Sequence, residues 1–399
     1  MLSVLQSTAM SEALARIGHY RDGALKILAG PVAPRQYRAL FNAVQPGTAR
    51  VVERRRLTDR ASALLIQTHS SWPRPQPGQH LGVGVDVAGT RRWRTYSITA
   101  MAGQRLSGEL SGSATGKRVP AHHIEIAVQA IPGGRVSPHL AHTIEPGEIL
   151  QVRPAEGEFV LPARVPKRVL FLTAGSGITP IMGILRHHLS DLDQATLVHA
   201  APTAADVLFD HELTAFVESG RIRVMRHFTT EQGRLDPKSV AQLVPEYDTC
   251  ETWACGPPEF LDHLAAFWQS QGLEHKLHVE RFQPRLRHSG SGGVVRFSET
   301  GAPVASDGSG PLLAVGEAHG IAMPSGCRMG ICYRCAVPLV SGSVRDLRTG
   351  EVTSAEPGEH VTVQTCICGN AGDCVLSVPP TLAASVSQSG VGLMERGAG

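Results

Sequence analysis

The 399-residue chain predicts a multidomain protein of three modules: a small antiparallel β-barrel, a doubly wound α/β parallel sheet, and a C-terminal module built around clustered cysteines. From about residue 50 to 160, short apolar runs are broken by Pro and Gly with little helical periodicity. From 169 to 280, short apolar strands alternate with helical stretches, the pattern of a parallel sheet covered by helices. Further on, Cys327, Cys332, Cys335 and Cys366 stand in the spacing C-x4-C-x2-C-x30-C. The length accommodates two or three separate cores.

In the first module, Ala63 to Gln67, His80 to Val87, Ile124 to Val128 and Ile149 to Val152 read as barrel strands. Arg94-Thr95-Tyr96-Ser97 lies in another. Strand alternation puts Arg94 and Tyr96 on one side and Ser97 on the other. A guanidinium suits a phosphate and a phenol ring suits stacking on a flat heterocycle. Taken alone, the tetrapeptide reads equally well as a surface Arg–Tyr pair.

In the second module, Val169 to Leu185 is seventeen residues without charge between Arg168 and Arg186. It is short for a membrane span and holds Gly175, Gly177, Pro180 and Gly183. It divides better into a buried strand, Val169 to Leu172, a turn at Gly175-Ser176-Gly177, and a helix starting at Thr179-Pro180. Strand, glycine turn and helix N-terminus together can receive a pyrophosphate. Further strands are Ala195 to His199, Arg221 to Val224 and Thr252 to Cys255, with helices over Leu208 to Ser219 and Pro258 to Ser270. Cys255-Gly256-Pro257-Pro258 is a second strand-to-helix turn, at the sheet edge where ligands bind.

The cysteine spacing is that of a plant-type [2Fe–2S] centre. Three thiols share one loop, and Gly326 and Gly330 let its backbone N–H groups approach the sulfurs. A zinc site pairs two short knuckles more often than it crowds three ligands on one loop. Disulfides are disfavoured because the N-terminus lacks the pattern of an export signal. A Rieske centre needs two histidine ligands, and no Cys-x-His pair exists. Cys366, preceded by Gln364-Thr365, fits the fourth position, which leaves Cys368 and Cys374 as small core residues.

The formal charge of +3 is too small to argue for nucleic acid. Residues 1 to 60 carry ten Lys/Arg against four Asp/Glu, and residues 290 to 380 carry five against eight. An acidic C-terminal module can find a basic partner, and a balanced solvated surface explains the same counts. Residues 1–48 read as a helical extension, with Met10, Leu14 and Ile17 in one apolar stripe and Tyr37, Leu40, Phe41 and Val44 in another. Packing on the neighbouring module explains the stripes better than peripheral contact with a membrane. The expected location is cytoplasmic, with the inner membrane face open through that extension. Ser and Gly mark 284–293 as a flexible linker, and 381–399 as a disordered tail.

Four strings in one order resemble the ferredoxin–NADP reductase superfamily: Arg94-x-Tyr96-Ser97, Gly133-Gly134-Arg135-Val136-Ser137, Gly175-Ser176-Gly177-Ile178-Thr179-Pro180 and Cys255-Gly256-Pro257. With the cysteine module behind them, residues 50 to 380 resemble the self-contained bacterial reductases that feed oxygenases, hydroxylases and desaturases. Trp93 to Ser97, Leu172 to Pro180, Ala201 to Val207, Thr252 to Pro257 and Gly326 to Cys332 look most like the NADPH-dependent reductases of membrane acyl-CoA Δ9-desaturase systems. The resemblance implies a flavin-binding barrel over 49–163, an NADPH-binding domain over 164–283 and a β-grasp [2Fe–2S] ferredoxin domain over 294–380. It also implies site roles. Arg94 holds the flavin phosphate, Tyr96 and Ser97 contact the isoalloxazine, and Gly133, Gly134 and Ser137 receive the flavin pyrophosphate. Gly175, Gly177 and Thr179 take the nucleotide pyrophosphate, and Cys255, Gly256 and Pro257 flank the nicotinamide. Ser97 and Cys255 stand at the hydride step, Cys327, Cys332, Cys335 and Cys366 hold the cluster, and Phe282 matches the end of the nucleotide module.

After the second strand of that module, Ala200-Ala201-Pro202-Thr203 offers no carboxylate for a ribose 2′-OH, which favours NADPH over NADH. Arg226 and Arg234 are candidates for the 2′-phosphate. The Gly133–Ser137 turn favours FAD, while FMN-binding reductases of the same domain order also resemble the chain. A nicotinamide donates two electrons together and the cluster accepts one, so a flavin between them matches the counts. The implied enzyme passes electrons from NADPH to an external acceptor, a membrane diiron desaturase or a hydroxylase, with the ferredoxin swinging on its linker between flavin and acceptor. Reductases of alkane, steroid or aromatic-ring oxygenases, and a redox-sensing flavin/iron–sulfur protein, are the alternative readings.

Overall fold

The computed structural model describes residues 44–87, 90–106, 117–298, 300–330 and 332–379. The helical extension expected over 1–48, up to residue 43, and the tail expected over 381–399 lie outside the described residues. Strands β1 (Thr48–Thr58), β2 (Ala61–Thr68), β3 (His80–Val87), β4 (Thr90–Met101), β7 (His123–Gln129) and β8 (Ile149–Glu156) close an antiparallel barrel in the order β1-β2-β7-β4-β3-β8. A two-stranded hairpin, β5 (Arg105–Leu106) and β6 (Lys117–Arg118), extends from it. Alternation fills the interior with Leu64, Ile66, Leu81, Val83, Ile98 and Ile126, all fully buried.

β1 carries Arg54-Arg55-Arg56, and its pairing with β2 slips after Val51 and again after Arg56, so its apolar residues lose strict alternation. The arginines are used. Arg54 Nε donates to the Ile144 carbonyl at 3.1 Å, and Arg55 pairs with buried Glu125 at 3.2 Å.

The next five strands, β9 (Arg168–Ala174), β10 (Gln194–Ala201), β11 (Ile222–Phe228), β12 (Glu251–Cys255) and β13 (Leu277–Glu280), form a parallel sheet in the order β11-β10-β9-β12-β13. Both faces are covered, by a core around Phe171 and Trp253 and another around Leu172 and Trp268. β9 lies between β10 and β12, so the crossovers diverge there and open a crevice at the carboxyl ends. The uncharged segment expected to divide does so, into β9, a turn at Gly175–Gly177 and the helix Ile178–His188. Among the described residues no helix is long and apolar enough to cross a membrane.

That helix also lies against the barrel. A Cβ on Gly183 would stand 2.3 Å from the Ile98 carbonyl oxygen, so only glycine allows this approach. Three residues on, the buried Arg186 guanidinium meets Glu125 of β7 at 2.7 Å, the Thr99 carbonyl at 3.0 Å and Glu212 of the helix Asp210–Glu218 at 2.7 Å.

The C-terminal module is a mixed sheet of β14 (Gly293–Arg296), β15 (Val304–Ser306), β16 (Ala336–Asp346), β17 (Val352–Ala355), β18 (Val361–Gln364) and β19 (Cys368–Leu376). Its path is β15-β14-β19-β16-β17, with β18 on β16. The helix Leu312–Ala318 sinks Leu312 and Leu313 into its core, the sheet-over-helix arrangement that a β-grasp expectation names. Between the modules, Arg285 Nε meets Asp262 at 2.6 Å, while the Arg287 and His288 N–H groups donate to the Leu347 carbonyl at 2.7 and 3.0 Å. Arg287 and His288, inside the segment expected as a linker, are thus hydrogen-bonded to the C-terminal module.

Arg186→Met would leave two buried carboxylates short of their counter-charge. The expected loss of stability is about 3–5 kcal/mol, measured by denaturant unfolding, and a loss below about 1 kcal/mol would show the cluster to be no stronger than a surface pair.

Candidate functional site

β4 carries the first group of site candidates. Arg94 and Tyr96 are half-buried and Ser97 is buried, opposite His80 on β3. Burial, then the neighbouring Arg328 guanidinium, holds Arg94 below the usual arginine range, and burial pushes the Tyr96 phenol up. The Ser97 hydroxyl is buried with no protein partner. A desolvated cation, an aromatic face and an orphaned hydroxyl on one strand fit the phosphate, ring and ring nitrogen of a flavin.

Gly133 takes φ +71 with open space beyond its Cα, and a Cβ on Gly134 would meet the Ile131 carbonyl at 3.0 Å. Buried Ser137 accepts from the Ile131 N–H at 3.1 Å and keeps its own proton for another acceptor. This turn, on the loop after β7, fits an anion.

At the crevice of the parallel sheet, Gly175 takes φ +55 and faces open space. Gly177 differs: a Cβ there would stand 2.1 Å from the Cys255 carbonyl oxygen, so the two strand-to-helix turns touch backbone to backbone. Thr179 Oγ1 donates to the Ser176 carbonyl at 2.9 Å, so its proton stabilises the turn and only lone pairs remain. Gly256 packs against Phe260 and Ala174, and Pro257 precedes the helix Pro258–Ser270. A cleft of about 990 Å³ opens here, lined by Gly175, Pro202, Arg234, Pro257, Arg285 and Arg287 among others. The two arginines considered for a 2′-phosphate part company: Arg234 lines the cleft, paired there with Glu259, whereas Arg226 lies outside that lining, held by Asp210 at 2.5 Å and Thr214 at 2.9 Å.

Cys255 is fully buried, and burial followed by the nearby Glu280 carboxylate raises its thiol well above the usual range. Glu280 lies in register with it on β13 and is itself raised by burial, against the effect of His80, whose Nδ1 lies 3.1 Å from Oε1. The other carboxylate oxygen is buried without a partner. Phe282 is exposed.

Around the cysteine loop, the Cys327 N–H donates to Cys332 Sγ at 3.2 Å and the Met329 N–H to Cys327 Sγ at 3.3 Å. A Cβ on Gly326 would lie 2.5 Å from Cys332 Sγ. Hydrogen bonding to Cys366 draws the Cys335 thiol down, while the same shared proton and burial push Cys366 up. Cys368 begins β19 in the hydrophobic core and is pushed up to about 12 by burial. N–H donors aimed at sulfur, and a thiol poised to ionise, fit an anionic iron–sulfur cluster.

The loop rests on the barrel. Arg328 Nε donates to the Trp93 carbonyl at 3.3 Å, and its guanidinium grips Glu317. Arg92 reaches Glu317 Oε2 at 3.6 Å and the Glu317 carbonyl at 3.2 Å, and Arg94 lies 3.9 Å from the same carboxylate. Arg153 of β8 stacks over the Trp93 ring at 3.8 Å and donates to the Ser325 carbonyl at 3.1 Å. Glu280, Glu317, Arg153, Arg285 and Arg287 were not legible as site residues. Only for Glu280 did the sequence hold a signal, its place in the string ending at Phe282.

A family model described as an oxidoreductase NAD-binding domain matches residues 171–265, and one described as a 2Fe-2S iron-sulfur cluster binding domain matches residues 298–369. Over 356 residues the chain is 40% identical to an NADPH oxidoreductase of Mycobacterium tuberculosis, covering 87% of this chain and 89% of that protein. Over 324 residues it is 24% identical to a glycine betaine monooxygenase reductase subunit of Pseudomonas aeruginosa, covering 73% and 84%. Phthalate dioxygenase reductase, a solved structure, matches with a TM-score of 0.56 and 19% identity over 83% of this chain and 97% of its own, which shows a shared fold.

Gly177→Ala should force apart the two turns at the crevice and weaken nucleotide binding by about tenfold or more, read by titration of the nucleotide against the folded variant. Unchanged affinity would place the pyrophosphate elsewhere.

Proposed function

The chain belongs to the ferredoxin–NADP reductase superfamily, among its NAD(P)H-dependent flavin/iron–sulfur oxidoreductases with a C-terminal [2Fe–2S] domain, and from that premise we propose that it draws electrons from NADPH through FAD to the cluster and on to an oxygen-activating iron enzyme. The observation that carries the proposal is the seating of the cluster loop on the strand that bears Arg94, Tyr96 and Ser97. A bound flavin supplies the conversion of a two-electron hydride into single electrons.

The chain's own residues bind, orient and keep water out. Arg94 offers its desolvated charge to a phosphate and Tyr96 its ring to the isoalloxazine. Ser97 offers a buried hydroxyl without a protein partner to the ring nitrogen that receives the hydride. Gly175 leaves open space before the helix Ile178–His188 for the nucleotide pyrophosphate, and Gly177 lets that turn close on the Cys255 backbone. Cys255 stays a neutral thiol under its burial and closes the nicotinamide side without adding charge. Glu280, with one carboxylate oxygen on His80 and the other orphaned, is placed to hold a proton at Oε2.

Preference for NADPH is supported by Ala200–Thr203, which holds no carboxylate, and by Arg287 at the cleft, beside Arg234 and Arg285, which pair with Glu259 and Asp262. FAD is supported by the Gly133–Ser137 turn. For the acceptor we favour a membrane diiron acyl-CoA desaturase, with hydroxylases next; the motif strings support the first, and relatives named as monooxygenase reductase subunits support the wider class. Reconstitution with candidate acceptors tests this, and turnover with none of the iron oxygenases would remove it.

In a stopped-flow trace, NADPH should bleach flavin absorbance first and cluster absorbance second; slow or absent bleaching would sink the relay. Cys366→Ser should lose the visible cluster absorption that Cys368→Ser keeps, and the reverse would exchange the fourth ligand. Arg234→Ala should raise the KM for NADPH by about tenfold, through one lost charge-assisted hydrogen bond, and leave that for NADH unchanged.

A further inference from the structure

Two guanidiniums from opposite sides of a domain boundary converge on the same two acceptors. Arg94 on β4 and Arg328 in the cysteine loop both donate to the Trp93 carbonyl, at 2.8 and 3.3 Å, and both face the Glu317 carboxylate. Arg92, two residues before Arg94 on the same side of the strand, adds a third charge to that carboxylate. Glu317 and Arg92 are buried, at 8% and 5% exposure, so little water screens the group. Arg328 holds a left-handed backbone, φ +61, which residues with side chains seldom adopt, and it directly follows Cys327.

From this we infer that Arg328, with Glu317 as its counter-charge, is a positioning residue for electron transfer from flavin to cluster: it fixes the Cys327 end of the loop against Trp93, next to the candidate flavin residues of β4. The inference rests on the reading of the chain as a flavin-to-cluster reductase. Each transfer moves one electron from the reduced flavin to a ferric site of the cluster, and no bond in the chain forms or breaks. The arginines keep their charge throughout. Their part is to hold the distance, because transfer requires the two groups to remain close, and a single buried carboxylate shared by three cations is a strong and direction-specific anchor. Trp93 is held from its other side too, since Arg153 covers its ring and bonds the Ser325 carbonyl two residues before Cys327.

The test compares full-length, cofactor-loaded wild type with Arg328→Met, Arg328→Lys and Glu317→Gln. Cluster content is checked from the dithionite-reduced electron paramagnetic resonance signal. With NADPH, the flavin phase should keep its wild-type rate in the two Arg328 variants. The cluster phase should slow by about tenfold or more in Arg328→Met and Glu317→Gln, because breaking a buried pair favours the undocked arrangement, and Arg328→Lys should recover part of it. Small-angle X-ray scattering of the oxidised proteins gives a readout independent of turnover: both disabled variants should show a larger radius of gyration than wild type. Glu317→Gln changes a helix residue outside the cysteine loop, so it reports even where the loop substitution disturbs cluster loading. A wild-type cluster phase in both variants, or unchanged scattering, would overturn the role. A wild-type flavin that NADPH fails to reduce would instead overturn the reductase reading, and the scattering comparison would still report on the docking.

Discussion

The buried Arg186 cluster fixes the barrel and the parallel-sheet module against each other. Its helix, Ile178–His188, begins at the nucleotide crevice, passes the barrel at Gly183 and ends in an arginine held by both modules. The pieces are matched in charge, because Arg186 and Arg55 face Glu125 and Glu212. Burial therefore does not leave a lone ion, the condition under which such a group would be lost to water. With the helix pinned at its far end and wedged at its middle, its N-terminus is held in place relative to β4. Hydride transfer needs reacting atoms held close and aligned, and a rigid wedge between two domains provides that without a moving lid.

β4 is the other half of that constraint, and it serves three neighbours in twelve residues. Its first part, Arg92 to Arg94, receives the cysteine module. Tyr96 and Ser97 follow as flavin candidates, and Ile98 and Thr99 then meet the nucleotide-side helix through their carbonyls. The order of residues along one strand thus reproduces, in reverse, the order in which electrons would pass. A strand suits this use because β3 holds its backbone over Thr90–Ser97 and β7 over Ile98–Met101, which leaves the carbonyls on the unladdered side of each stretch available.

Much of this was legible in the sequence, and what was not shares a physical cause. Cysteine spacing, glycine turns and the Pro-led helix at Pro258 are local signals, and each falls where a strand or helix boundary stands. Strand β1 was missed because two register slips and three consecutive arginines hide its apolar residues. Glu317 sits in the helix Leu312–Ala318 with nothing in its neighbourhood to mark it; its partner Arg92 is 225 residues away. Arg226 and Arg234 look alike in sequence, and each has a carboxylate partner, Asp210 and Glu259; what separates them is that only Arg234 lines the cleft. Local chemistry is written in adjacent residues, whereas counter-charges are chosen by the fold.

The cysteine loop has two sides, and this bears on how electrons leave. One side is turned to the barrel through Arg328 and the Ser325 carbonyl. On the other, Tyr333, between the second and third cysteines, is 68% exposed and held at φ +56. Under the proposed function, Tyr333 marks a part of the loop that stays open to solvent while Arg328 and the Ser325 carbonyl hold it to the barrel. The linker composition suggested a swing between two positions, yet Arg287, His288 and Gly290 are hydrogen-bonded to the C-terminal module, which leaves only a few residues around Pro284 to act as a pivot. A relay with an inner and an outer face needs no large excursion, since the same docked arrangement can take an electron on one side and release it on the other.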